Sequence, residues 1–149
     1  MFHIIDDNPM LRELLECIIS DASYRSVSFS SGDKYLEYMS TPDFVNPIAV
    51  LSDVNMPGIN GYDLVLEIRK KFPFQRIILI TGNADDEHHV RAASQLCFTL
   101  DKPYQPENLI TLLNALEACH NNHAKDTQYC GYCRFGIDHH PCPFDSTND

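Results

Sequence analysis

The chain has 149 residues, enough for one ordinary domain and a short appendage but not for two full domains, and its 44% hydrophobic and 21% charged content suits a real core. The net charge of −10, from 21 acidic and 11 basic side chains, repels phosphate backbones and argues against direct nucleic-acid binding. No apolar run is long enough to cross a bilayer, and Met1-Phe2-His3-Ile4-Ile5-Asp6-Asp7 has neither the basic start nor the long apolar stretch of a secretion signal. The expected location is therefore the cytoplasm, with thiols reduced and no membrane partner.

Short apolar runs and helical periods alternate along the first 120 residues. The expected strands are Phe2 to Ile5, Ser26 to Phe29, Ile48 to Leu51, Arg76 to Ile80 and Leu96 to Leu100, each rich in Ile, Val, Leu or Phe. A first helix should turn Leu11, Leu14, Leu15 and Ile18 inward. A second, after Ser31-Gly32-Asp33, should bury Tyr35, Leu36 and Met39, and a third Leu64, Val65, Ile68 and Phe72. A weaker fourth candidate runs from Ala84 to Ser94. Its Asp85-Asp86-Glu87 reads as a solvated first turn and its His88-His89 as a solvated face. Leu109, Leu112, Leu113 and Leu116 mark the last helix, which should end near Cys119-His120. Five alternations argue for an α/β domain with a parallel sheet and helices on both faces.

In such a sheet, ligands bind outside the carboxyl ends of the strands. Asp6 and Asp7 follow the first strand, Asp53 ends the third, Thr81 and Gly82 follow the fourth, and Lys102-Pro103 the fifth. Three converging carboxylates repel one another, and a divalent cation and a lysine relieve that. Hard oxygen ligands suit Mg²⁺, which also binds phosphate, and Lys102 adds a compact positive charge. Such an assembly suits phosphoryl transfer onto a carboxylate nucleophile.

Asp6-Asp7, Asp53 with Met56-Pro57-Gly58 and Gly61 behind it, Thr81, and Lys102-Pro103 together resemble the receiver domain of two-component response regulators. The resemblance covers residues 1–120 and implies a flavodoxin-like sheet with strand order 2-1-3-4-5. It implies that Asp53 accepts a phosphoryl group from a sensor histidine kinase. Mg²⁺ would be bound by the Asp7 and Asp53 side chains and the Asn55 carbonyl, with Asp6 assisting through water. Thr81 would hydrogen-bond the phosphoryl oxygens, and Lys102 would pair with them from the other side. The resemblance implies a switch that catalyses its own phosphorylation and a slower hydrolysis of the product, rather than metabolic catalysis. The family's contact face would comprise the helix over 84–94, the fifth strand and the helix after it. Where the family usually has an aromatic residue three before the lysine, this chain has Thr99, with Phe98 beside it, and Tyr104 stands where Phe is common.

Of the six cysteines, Cys17 and Cys97 read as small core residues, while Cys119, Cys130, Cys133 and Cys142 crowd the end of the chain with His120, His123, His139 and His140. Asn121-Asn122-His123 and Asp126-Thr127-Gln128 read as a polar linker. Residues 121–149 form a Cys/His-rich tail, too short for its own core. Cys130-x-x-Cys133 has zinc-knuckle spacing, which Cys142 and either His139 or His140 complete, with Cys119, His120 and His123 in reserve. A disordered reduced tail and a redox pair are the competing readings. The expectation is a receiver without a DNA-binding domain that signals through contacts with another protein. A metal- or redox-controlled interaction protein and a phosphorelay intermediate are the alternatives.

Overall fold

A computed structural model describes residues 1–73, 75–82, 87 and 98–123. Five parallel strands form one sheet in the order β2-β1-β3-β4-β5. They are β1 (Phe2–Ile5), β2 (Ser26–Phe29), β3 (Val50–Asp53), β4 (Ile77–Thr81) and β5 (Phe98–Asp101). The described helices are α1 (Pro9–Asp21), α2 (Gly32–Met39), α3 (Gly61–Lys71) and the last helix, α4 (Pro106–His123). The helix expected over 84–94 and Cys97 lie outside the described residues, apart from Glu87.

The sheet is buried on both faces, and side-chain alternation sorts its strands into two cores. Phe2, Ile4, Leu51, Ile78, Ile80 and Leu100 meet Leu15, Ile18 and Ile19 of α1 and Leu109, Leu112, Leu113 and Leu116 of α4. Ile5, Val50, Ile77 and Leu79 meet Tyr35 and Met39 of α2 and Leu64, Val65 and Ile68 of α3. The leucine stripe of the last helix is thus buried as its period predicts, and β1 and β2 have the expected bounds. β3 is shifted two residues toward its carboxyl end, to finish on Asp53.

Local chemistry starts the helices. The Asn8 side chain accepts from the amides of Met10 and Leu11, with Pro9 opening α1; Ser31 caps Lys34 and Asn60 caps Asp63 in the same way. Arg69, Lys70 and Lys71 lie in the last turn of α3, where the helix dipole favours cations.

Three sequence expectations change. The inward face of α1 is Leu15, Ile18 and Ile19, with Leu14 47% exposed. Cys17 points almost opposite that face and is exposed rather than in the core. The last helix continues through Asn121-Asn122-His123 instead of yielding to a linker there. Its final turns have a tertiary anchor that its leucine pattern does not reveal, because Cys119 is buried and held by Arg76 from the start of β4.

Candidate active site at the carboxyl ends of the strands

Asp53 occupies the last position of β3 and is 7% exposed. Its Oδ1 accepts hydrogen bonds from the Val54 amide and from Lys102 Nζ, both at 2.9 Å. Lys102 is brought there by β5, whose Asp101 is in register with Thr81 of β4. The Lys102 amide also donates to the Thr81 carbonyl at 2.8 Å. Thr81 itself is buried at the end of β4.

Asp6 and Asp7 follow β1, the strand beside β3. Asp6 is buried and Asp7 exposed, and ligand oxygens of Asp6, Asp7 and Asp53 all lie within 4.8 Å of one another. The Asp6 amide is tied to the Phe29 carbonyl, and its own carbonyl accepts from Arg12 Nη1 at 2.7 Å. Burial raises the Asp6 pKa above the usual carboxylate value. The charges of Asp53 and Asp7 push the same way, against the Asn8 amide donated at 2.9 Å and the charge of Lys102. A buried Asp6 carboxyl that resists ionisation beside two further carboxylates is an environment a hard cation relieves, and three carboxylates with one lysine suit Mg²⁺.

Two backbone features shape the loop that leaves Asp53. Gly61 donates its amide to the Val54 carbonyl at 2.8 Å. A Cβ on Gly61 would stand 2.5 Å from the Asp53 carbonyl oxygen and 2.8 Å from Val54 Cα, so only glycine permits this closure. Asn55 is exposed within the loop and Met56 is buried below it. Tyr104 is half-buried against the α1/α4 core; burial raises its pKa, helped by the charge of Asp6.

The structure therefore gathers Asp6, Asp7, Asp53, Thr81 and Lys102 at the carboxyl ends of the sheet strands, with Asn55 two residues beyond Asp53. The proposed zinc ligands Cys130, Cys133, His139, His140 and Cys142 lie outside the described residues, as does the side chain of His123. Of the reserve ligands, Cys119 Sγ accepts from Arg76 Nε at 3.1 Å, and the Cys119 carbonyl from Nη2 at 3.1 Å. His120 Nδ1 lies 3.3 Å from Arg76 Nη1; arginine only donates, so Nδ1 accepts. Burial lowers the His120 pKa, with Arg76 next in effect. These groups form an arginine site, which opposes a metal cation.

Sequence reasoning missed three polar groups. Arg76 reads as the first residue of an apolar run. His3 reads as strand filler, yet it is fully buried with Nδ1 3.0 Å from the Tyr35 hydroxyl. Asp33 reads as part of a helix start, yet its Oδ2 accepts the Ile59 amide at 3.2 Å. None has a local signal, because each partner lies 26 or more residues away in the chain.

The family described as the response regulator receiver domain matches residues 2–114. The DNA-binding transcriptional regulator NtrC of Klebsiella pneumoniae is 30% identical over 112 residues, covering 74% of this chain and 23% of NtrC. The nitrate/nitrite response regulator protein NarL of Escherichia coli (strain K12) is 32% identical over 118 residues, covering 77% of this chain and 53% of NarL. The chain thus spans about a quarter of NtrC and half of NarL. The response regulator protein TrrA of Thermotoga maritima, solved in complex with Mg²⁺-BeF, superposes with a TM-score of 0.66 at 27% identity, covering 77% of this chain and 96% of TrrA.

Proposed function

The chain belongs to the response regulator receiver domain family of two-component signalling, and from that premise we propose that Asp53 is the residue that takes the phosphoryl group. Receiver domains are phosphorylated on an aspartate by histidine kinases, with Mg²⁺ bound in the acidic pocket. The observation that carries the assignment is the pairing of Asp53 Oδ1 with Lys102 Nζ beside Asp6 and Asp7. Among the described residues, both hydrogen bonds to the Asp53 side chain fall on Oδ1, and Oδ2 is the oxygen assigned to attack. As the new P–O bond forms, the P–N bond to the donor imidazole breaks and its electron pair stays with the imidazole nitrogen.

Lys102 holds Asp53 in place before transfer and afterwards faces the added phosphoryl oxygens as a fixed positive charge. Thr81 offers its hydroxyl to the same oxygens. Asp6, Asp7, Asp53 and the Asn55 carbonyl are the proposed Mg²⁺ ligands. Mg²⁺ held there would neutralise charge on the carboxylates and on the phosphoryl group. The donor is a sensor histidine kinase. The output is contact with another protein through the face made by the segment over 84–94, β5 and α4. The receiver runs through α4, which ends at His123, and in the tail beyond it Cys130, Cys133, Cys142 and either His139 or His140 would hold zinc. Their spacing is the support for that zinc site.

Incubation with acetyl phosphate and Mg²⁺ tests the central assignment. The native chain should gain one phosphoryl group by mass, and Asp53→Asn should gain none. Persistent labelling of that variant defeats the assignment.

A further inference from the structure

We infer that Asp33, at the start of α2, is a positioning residue for the phosphorylation site, acting through the loop that joins Asp53 to α3. This inference rests on the reading of Asp53 and Asn55 given above. The loop over residues 54–60 is closed on itself at its base, where Gly61 donates to the Val54 carbonyl. Asn60 is engaged by α3, whose Asp63 amide it caps. Among the described hydrogen bonds of residues 54–60, the one that reaches an element other than the flanking β3 and α3 is Ile59 N–H to Asp33 Oδ2, at 3.2 Å across a separation of 26 residues.

The contact is built from both sides. Gly58 has φ +78°, a conformation side chains disfavour, and a Cβ there would stand 2.2 Å from Asp33 Oδ2. The loop backbone therefore passes directly against the carboxylate because residue 58 has no side chain. Facing it, a Cβ on Gly32 would stand 2.5 Å from Ile59 Cγ2. Gly32 and Asp33 of α2 thus interlock with Gly58 and Ile59 of the loop. Asn55, Met56 and Pro57 are held between this clamp and the base at Val54–Gly61. A carbonyl ligand is only as well aimed as its peptide, so the clamp fixes where the Asn55 carbonyl points. Groups that orient metal ligands commonly change affinity by tenfold or more when removed.

The alternative role for Asp33 is a remote negative charge that attracts cations. Two substitutions separate the roles. Asp33→Asn keeps an oxygen acceptor for the Ile59 amide and loses the charge; Asp33→Ala loses both. Mg²⁺ affinity of the full 149-residue chain would be measured calorimetrically, and the rate of acetyl phosphate labelling at subsaturating Mg²⁺ by intact mass. Asp33→Ala should raise the Mg²⁺ dissociation constant about tenfold, with the labelling rate recovering at saturating Mg²⁺. Asp33→Asn should stay within about twofold of the native chain, since the acceptor remains. Equal losses in both variants would assign the effect to charge and overturn the inference. A lower melting temperature for Asp33→Ala with unchanged Mg²⁺ affinity would make the contact merely structural and overturn it too. If the native chain neither binds Mg²⁺ nor accepts the phosphoryl group, the underlying reading of the site fails instead, and that result is visible before any variant is made.

Discussion

His3 and Asp6 lie three residues apart on β1 and just beyond it, and burial drives their pKa values in opposite directions. His3 is fully buried, ringed by Phe29, Tyr35, Tyr38 and Phe44 with ring centroids 5.6–6.0 Å away. Its Nε2 has no hydrogen-bond partner among the described residues. Burial, with a smaller effect from the N-terminal ammonium, lowers its pKa from 6.5 to about 4. The folded state therefore binds fewer protons than the unfolded state between those values. The stability owed to neutral His3 is complete above pH 6.5 and is lost as the pH falls to about 4. Asp6 behaves oppositely: its raised pKa means that stability falls as the pH climbs through the ordinary carboxylate value toward the folded one. We predict that His3→Phe flattens the fall in urea midpoint between about pH 6.5 and 4. An unchanged slope would move the acid sensitivity elsewhere.

For whole elements, tertiary contacts overrule local pattern at the ends of helices. Leucine spacing defines the buried face of α4 through Leu116, but the last turn is held by three groups of one arginine. Arg76 is 7% exposed at the edge of β4, so its guanidinium joins the start of a central strand to the end of the terminal helix. Replacing it removes hydrogen bonds to a thiol, a carbonyl and an imidazole. We predict that Arg76→Met lowers stability by about 2 kcal/mol. Amide exchange should rise in residues 117–123 and remain slow in β1 and β3. Uniformly faster exchange across the sheet would show that the arginine supports the core rather than the helix end. In α1 the same principle works by default: Leu15, Ile18 and Ile19 already face the sheet, so Leu14 and Cys17 are left outside despite their apolar character.

At the scale of the whole molecule, two hydrophobic layers hold one sheet, and the sheet collects acids that disfavour each other at its carboxyl end. No described helix is long and apolar enough to cross a membrane. On the proposed assignment, Mg²⁺ is held by three acids that the unfolded chain does not present together, so Mg²⁺ should stabilise the fold. At a free concentration one hundred times its dissociation constant, the gain should be about 2.7 kcal/mol, read from denaturant midpoints. Asp7→Asn should lose most of that gain, and an equal gain in that variant would displace the cation site. The sheet, its strand pattern, the leucine face of α4 and the rim residues Asp6, Asp7, Asp53, Thr81 and Lys102 were all legible in the sequence. Each follows from a short-range rule: apolar runs make strands, a 3.6-residue period makes a helix face, and strand ends share a rim. The Asp33–Ile59 clamp, the Arg76–Cys119–His120 cluster and the buried His3–Tyr35 pair were decided by the tertiary structure alone. These are single hydrogen-bonded meetings between segments far apart in the chain. Periodicity records which face of an element is buried, whereas partner and distance exist only once the elements have packed.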